Sequence, residues 1–227
     1  MKLYKKIFLI IIISILIAYL IYIFCHNKTL NILVLGDGVS SGQTSYNVDG
    51  LSYNDYLKRY FESEKLLGEY NDSYSFKNNK LSNILDYIEK NNYDELNDIH
   101  IKQLIHNAHI ITIHFGVEEL TKLSITDDLD INELSNLIGI YQTVLKNIKH
   151  ITEAKIYVIG IYENVYLNPS DVIIFNSEVK NICDKLDMIF IDISDLLKNK
   201  DYFLNKNSFY FNYSAHEMIA KMLINSF

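Results

Sequence analysis

Apolar runs of strand length alternate along this chain with stretches whose apolar residues recur at helical spacing. The clearest runs are Leu30–Leu35 (LNILVL), Ala108–Phe115 (AHIITIHF), Ala154–Ile161 (AKIYVIGI) and Met188–Ile193 (MIFIDI), with a weaker one at Ser73–Phe76. The strong runs are nearly continuous rather than alternating, the pattern of strands covered on both faces. Helical spacing marks Ser52–Glu62, Lys80–Lys90, Ile131–Lys149, Asp171–Leu186 and Tyr213–Phe227. The first starts at a capping serine and sets Tyr53, Tyr56, Leu57 and Tyr60 on one stripe; the last turns Met218, Ile219, Met222 and Leu223 inward. This alternation, closed by right-handed crossovers, predicts an α/β fold, a three-layer α/β/α sandwich on a mostly parallel sheet. Ligands of such sheets bind beyond the carboxyl ends of the strands, so the segments after Leu35, Phe115 and Ile161 are where function is expected.

The pattern breaks at the N-terminus. Ile7 to Phe24 reads IFLIIIISILIAYLIYIF, without a charge. As a helix, 18 such residues span about 27 Å, close to the hydrocarbon thickness of a bilayer. Lys2, Lys5 and Lys6 precede the run, and Tyr19 and Tyr22 fall near its far end. The expectation is one N-terminal transmembrane helix, a signal anchor with its N-terminus inside. A cleaved signal peptide would end in small residues, and a lipoprotein at Cys25 would have one just before the cysteine; Phe24 stands there instead. The domains expected are then residues 1–27, a cytoplasmic tip and anchor, and residues 28–227, one extracytoplasmic domain on the cell membrane. No repeat, low-complexity tract or Pro/Gly-rich linker divides residues 28–227.

Composition narrows the chemistry. The chain has 227 residues, 49% of them hydrophobic, enough for a sizeable core. A formal net charge of -7 with scattered lysines argues against a nucleic-acid partner. The two cysteines, Cys25 and Cys183, form no CxxC pair, which argues against a disulfide framework and a cysteine-based zinc site. No metal and no cofactor is expected.

The first strand runs into Gly36-Asp37-Gly38-Val39-Ser40-Ser41-Gly42, and ITIHFGVEEL follows the pattern of a strand ending in G-x-x-x. These segments resemble the G-D-x-x-x-x-G and G-x-N-D signatures of the SGNH/GDSL-type hydrolases. The resemblance covers the whole domain in order, with no single motif intact. It implies a flavodoxin-like five-stranded sheet and an ester-hydrolase ancestry. It puts Gly38 where the family has its nucleophilic serine and Glu118 where it has an oxyanion-binding asparagine. Asn78, within SYSFKNNKLSNIL, falls where a glycine N–H joins the oxyanion hole. Aligning the last helix puts Asn207 and Tyr210 at the aspartate and histidine of the C-terminal D-x-x-H.

Acyl transfer needs a nucleophile, a base and donors aimed at the developing oxyanion. Gly38 has no side chain, a phenol at Tyr210 is a poor base with its usual pKa of ~10, and a carboxylate at Glu118 repels an oxyanion. Asn207 can orient a neighbour without adding charge. The leading expectation is a membrane-anchored, catalytically inactive pseudo-hydrolase that binds a cell-envelope glycan, an acyl ligand or a protein. One alternative is an active esterase or acyl hydrolase using displaced residues; another is a structural module of a membrane complex. Ligand-binding candidates are Asp37, Gly38, Ser40, Tyr46, Asn78, Glu118, Glu119 and Tyr210.

Each candidate also has a plainer reading. Ser40 and Ser41 cap or line the turn. His216 sits inside the last helix and His114 within a strand, both as packing residues. Glu118 and Glu119 begin a short helix, where carboxylates suit the dipole; a carboxylate-pair glycosidase lacks a defined separation. Asp37 bonds the amides of its own turn. The loop Gln43–Asn54 is either an overhanging sugar- or peptide-binding loop bearing Tyr46 or an ordinary polar loop turning at Asp49-Gly50.

Overall fold

A computed structural model of the chain describes residues 4, 7–8, 11–19, 29–46, 48–94, 98–126, 130–195, 200–205 and 207–227. Five strands form one sheet: β1 (Leu30–Gly36), β2 (Leu67–Ser75), β5 (Ile110–His114), β6 (Lys155–Ile159) and β7 (Ile189–Ile191), in the order β2-β1-β5-β6-β7. Every neighbouring pair is parallel, with Ile32 opposite Ile110, Ile110 opposite Lys155 and Tyr157 opposite Ile189. All five residues of β5 are buried, as the central strand of a doubly covered sheet must be.

Helices α1 (Tyr53–Ser63) and α7 (Tyr213–Ile224) pack together on one face. On the other face lie α2 (Leu81–Lys90), α3 (Ile101–Asn107), α5 (Ile131–Ile151) and α6 (Pro169–Leu186), with α5 touching the other three. The short helix α4 (Val117–Thr126) follows β5 directly. Caps set the starts of two helices. Ser52 accepts from the Asp55 N–H while the Asp55 carboxylate accepts from the Ser52 N–H, and Asp130 and Glu133 do the same for α5. The sheet is the mostly parallel five-stranded α/β/α sandwich the hydrophobic pattern predicts.

The boundaries differ where exposure hides the pattern. β2 runs nine residues, beginning six before the expected Ser73. It is an edge strand paired only with β1, so LGEYNDSYS carries polar residues and its apolar signal is diluted. The pairing shifts register twice, between Leu30 and Ile32 and between Leu33 and Leu35. The short antiparallel pair β3 (Tyr93–Asp94) and β4 (Ile99–His100), and α3 after it, have no counterpart among the expected elements.

The membrane expectations are corrected. Among the described residues, no helix is long and apolar enough to cross a membrane. The transmembrane helix over Ile7–Phe24 is thus unsupported. With it go the signal anchor, the membrane as partner, and the single-pass cell-membrane localisation with the N-terminus inside and the domain extracytoplasmic. Lys2, Lys5, Lys6, Tyr22, Phe24 and Cys25, which figured in that expectation, lie outside the described residues. Cys183 is a buried free thiol.

Two polar side chains from the covering helices fix the backbone where the central strands end. The Tyr141 hydroxyl of α5 donates to the Phe115 carbonyl at 3.0 Å and accepts the Phe115 N–H at 3.0 Å. The Asn176 amide of α6 accepts the Ile161 N–H at 2.9 Å and donates to the Ile161 carbonyl at 2.8 Å. Gly160 makes room for this clamp, since a Cβ there would stand 3.0 Å from Asn176 Oδ1. Both clamps sit at the carboxyl ends of strands, so they position the segments that follow β5 and β6. Replacing Asn176 with alanine strands a buried N–H and a buried carbonyl together, and urea unfolding of the variant should show a loss of about 2–4 kcal/mol.

Candidate functional site

The turn after β1 brings Asp37, Gly38 and Ser40 to the end of the sheet beside the start of α4. Asp37 is buried and inward-facing. Its Oδ1 accepts the Val39 N–H at 3.0 Å and its Oδ2 the Glu118 N–H at 3.3 Å. Burial first, and then the nearby Glu118 charge, hold its carboxyl well above the ordinary aspartate range. Asp37 thus ties the β1 turn to the first turn of α4.

Glu118 is only 2% exposed, yet its carboxylate is fully engaged. Oε2 accepts the Gly38 N–H at 3.2 Å and the Asn78 N–H at 2.8 Å. Oε1 accepts the Tyr210 hydroxyl. Four segments distant in sequence therefore meet on one side chain. Asn78 points its N–H inward because its backbone is left-handed, φ 63°; asparagine tolerates that region better than most residues. Its side-chain oxygen accepts from Lys122. Tyr210 is buried, and burial, the bond to Glu118 and the Glu118 charge raise its phenol above the ordinary tyrosine value. Ser208 braces it by bonding both its N–H and its carbonyl.

Gly38 has a steric role in this arrangement. A Cβ there would lie 2.6 Å from Glu118 Oε1 and 3.0 Å from its Cδ. The empty side-chain position of residue 38 is the space that the Glu118 carboxylate fills.

The other candidates lie elsewhere. Ser40 is buried and bonds the Ser75 hydroxyl and the Asp37 carbonyl, behind the turn. Ser41 donates to the Gly38 carbonyl at 3.1 Å, closing the turn on itself. Glu119 is half-buried, with Oε2 lacking a hydrogen-bond partner; burial raises its carboxyl, and Lys80 and Lys122 oppose the rise. Tyr46 is 73% exposed at the tip of its loop. That loop is pinned at Ser45, whose hydroxyl bonds Ser208 at 2.6 Å. Asn207 is exposed and takes part through its backbone, accepting the Tyr166 hydroxyl at 3.1 Å. The structure thus brings together Asp37, Gly38, Asn78, Glu118 and Tyr210, and leaves Tyr46 and Asn207 outside.

Beneath this group is an aromatic and imidazole cluster that the sequence pattern does not reveal. The Tyr53 hydroxyl and His114 Nδ1 are 3.1 Å apart, and the His216 ring stacks on Tyr53 with centroids 6.0 Å apart. Phe211 meets His216 edge-on. Burial and then the neighbouring His216 push His114 down to about 3, and burial alone pushes His216 down to about 4. Neither imidazole bonds a serine: His114 takes the tyrosine hydroxyl and His216 lies among rings. Among the described residues, no group of three or more His, Cys, Asp or Glu is placed to hold a metal ion.

No family model and no curated protein matches the chain. Solved structures do. A catalytic mutant of an acetylxylan esterase from Geobacillus stearothermophilus superposes with a TM-score of 0.66 at 14% identity, covering 88% of this chain and 94% of that one. A lipase from a goat rumen metagenome gives 0.66 at 18% identity over 87% and 97%. A lipase/acylhydrolase from Enterococcus faecalis gives 0.65 at 14% identity over 87% and 95%. At such identities the likeness is one of fold alone: the chain shares the α/β/α fold of these structures.

Two measurements probe this site. Gly38→Ala should cost about 1–3 kcal/mol in the native background and much less in Glu118→Ala, because the clash is with Glu118; a double-mutant cycle by urea unfolding reads the coupling. The second is pH dependence. The folded state keeps His216 neutral down to about 4, whereas the unfolded chain takes up the proton near 6.5. Its contribution is intact above pH 6.5 and is lost as the pH falls towards 4, about 2 kcal/mol by pH 5. His216→Phe should abolish that part of the loss between pH 7 and pH 5, while Asp37, whose raised carboxyl acts in the opposite sense, cancels in the comparison.

Proposed function

We propose that this chain is an SGNH/GDSL-type domain that no longer hydrolyses esters in its cleft, because an internal carboxylate occupies the place of the substrate's oxyanion. The observation that carries the reading is the convergence of the Gly38 and Asn78 N–H groups on Glu118 Oε2, at 3.2 and 2.8 Å. Two backbone donors aimed at one oxygen are what an oxyanion site supplies. Here that oxygen belongs to the protein's own side chain. A substrate carbonyl would have to displace a carboxylate held by three donors, and position 38 would then offer it no hydroxyl. Tyr210, where the resemblance has a base, donates a hydrogen bond to Glu118 and holds no nucleophile.

The anchored, extracytoplasmic binding domain expected from the sequence is not carried forward, since its anchor is unsupported. The likeness to esterases and lipases over 87–88% of the chain favours a different second reading, ester or acyl hydrolysis through displaced residues. The geometry weighs against it. Ser40 and Ser41 are spent on the turn, and His114 and His216 are held among rings.

The test uses the full chain with an aryl acetate and a serine-reactive phosphonate. Neither turnover above background nor labelling is expected. Gly38→Ser should also stay inactive, because Glu118 still fills the cradle. A phosphonate adduct on Ser40 or Ser41 would establish the second reading instead.

A further inference from the structure

The buried side of α7 carries an ionisable group among apolar ones. Ala215, His216, Ile219, Ala220 and Leu223 face the body of the domain, so four aliphatic side chains and one imidazole seat the helix. His216 Nδ1 is buried without a hydrogen-bond partner. The ring lies against Tyr53 of α1 and against Phe211, and His114 of β5 is near enough for the two imidazoles to act on each other. His114 Nδ1 faces the Tyr53 hydroxyl, and the Gly160 carbonyl is near its ring. Two basic rings from different elements are thus shut into one seam under α7.

Nothing around the seam compensates a proton there. Burial raises the phenols of Tyr53, of Tyr162 beside Phe211 and of Tyr210, so none of them titrates in acid. Asp201 meets Asn212 through its backbone carbonyl, and Glu217 pairs with Lys221 within α7 on its exposed side. Burial alone lowers His216, so no neighbouring carboxylate holds a proton on it. An imidazolium in the seam is unpaired and cut off from water, which is strongly disfavoured. The proton enters where α7 lifts and the rings become solvated. α7 also starts close to the Glu118 cradle: its cap Asn212 stands two residues after Tyr210, whose hydroxyl bonds Glu118.

We propose that the buried His114–His216 pair makes α7 an acid-released latch: protons taken up by the pair free the helix and withdraw Tyr210 from Glu118. Release of α7 concerns the covering of Glu118 and not the loss of ester hydrolysis, so each can hold without the other. The folded state keeps His216 neutral down to about 4 and His114 down to about 3, against 6.5 for the solvated ring. Protons therefore favour the open form as the pH falls below 6.5. Between pH 7 and pH 5 that gain is about 20-fold for each ring that becomes solvated.

Amide hydrogen exchange on the full chain, resolved by residue and corrected for the intrinsic effect of pH, reads the opening. Protection of Ile219, Ala220 and Leu223 should fall by about 20-fold or more between pH 7 and pH 5. At pH 5 these amides should exchange at least about tenfold faster than those of Ile111 and Ile113 in β5. The Tyr210 amide, bound to the Ser208 hydroxyl, should exchange along with them. His216→Phe, or His216→Leu should the first variant not fold, puts an apolar group in the seam and should remove about 20-fold of the pH-dependent loss. Asp37 and the other carboxylates cancel in that comparison. Equal protection of α7 and β5 at pH 5 overturns the proposal, since the domain then opens as a whole. So does a Tyr210 amide that stays protected while α7 exchanges, or a pH dependence unchanged in the His216 variants.

Discussion

Burying a carboxylate is costly unless donors surround it, and the segments after β1 and β5 are organised by that constraint at Glu118. Desolvation of one such group costs several kcal/mol. Hydrogen bonds to a charged acceptor return about 1.5–3 kcal/mol each, so three of them are of the same order as the cost. The donors come from the β1 turn, from residue 78 and from residue 210. Loss of any one leaves the other segments holding an incompletely solvated charge. The carboxylate is therefore a tie between parts of the chain that share no secondary structure, and it makes their positions interdependent.

The same tie explains why Gly38 and Glu118 belong together. A side chain at 38 and a carboxylate at 118 compete for one volume. The chain gives that volume to the Glu118 carboxylate and leaves position 38 without a side chain. Asp37 supports the arrangement from below by fixing the Glu118 backbone, and the raised carboxyl of Asp37 reflects two acids placed close together out of water.

Much of the framework was legible from residue pattern because it depends on local hydrophobic content. LNILVL, AHIITIHF and AKIYVIGI read as buried strands without reference to anything distant. The edge strand β2 was legible only at its buried end, since Glu69 and Asp72 face water there. The site was legible as a set of unusual residues at strand ends, but not as an arrangement. Nothing local shows that Tyr210 reaches Glu118 across 92 positions, or that Asn78 turns left-handed. The size complementarity of Gly38 and Glu118 was the available signal, and it becomes readable only once the two segments are known to touch. Asn207 shows the reverse error. Counting back from the last helix placed it in the cleft, whereas the segment around Phe203 and Phe211 folds on itself and turns it outward. The apolar N-terminal run misled in another way, because hydropathy reports what a segment avoids and not what covers it.

The edge of the sheet has its own consequence. β2 exposes acidic side chains and loses register with β1 at two places, which bends its outer rim away from a straight ladder. A foreign strand laid along that rim would meet negative charge and mismatched amide spacing at once. Growth of the sheet into a neighbouring molecule, the usual hazard of a long open border, is thereby discouraged by the chain itself.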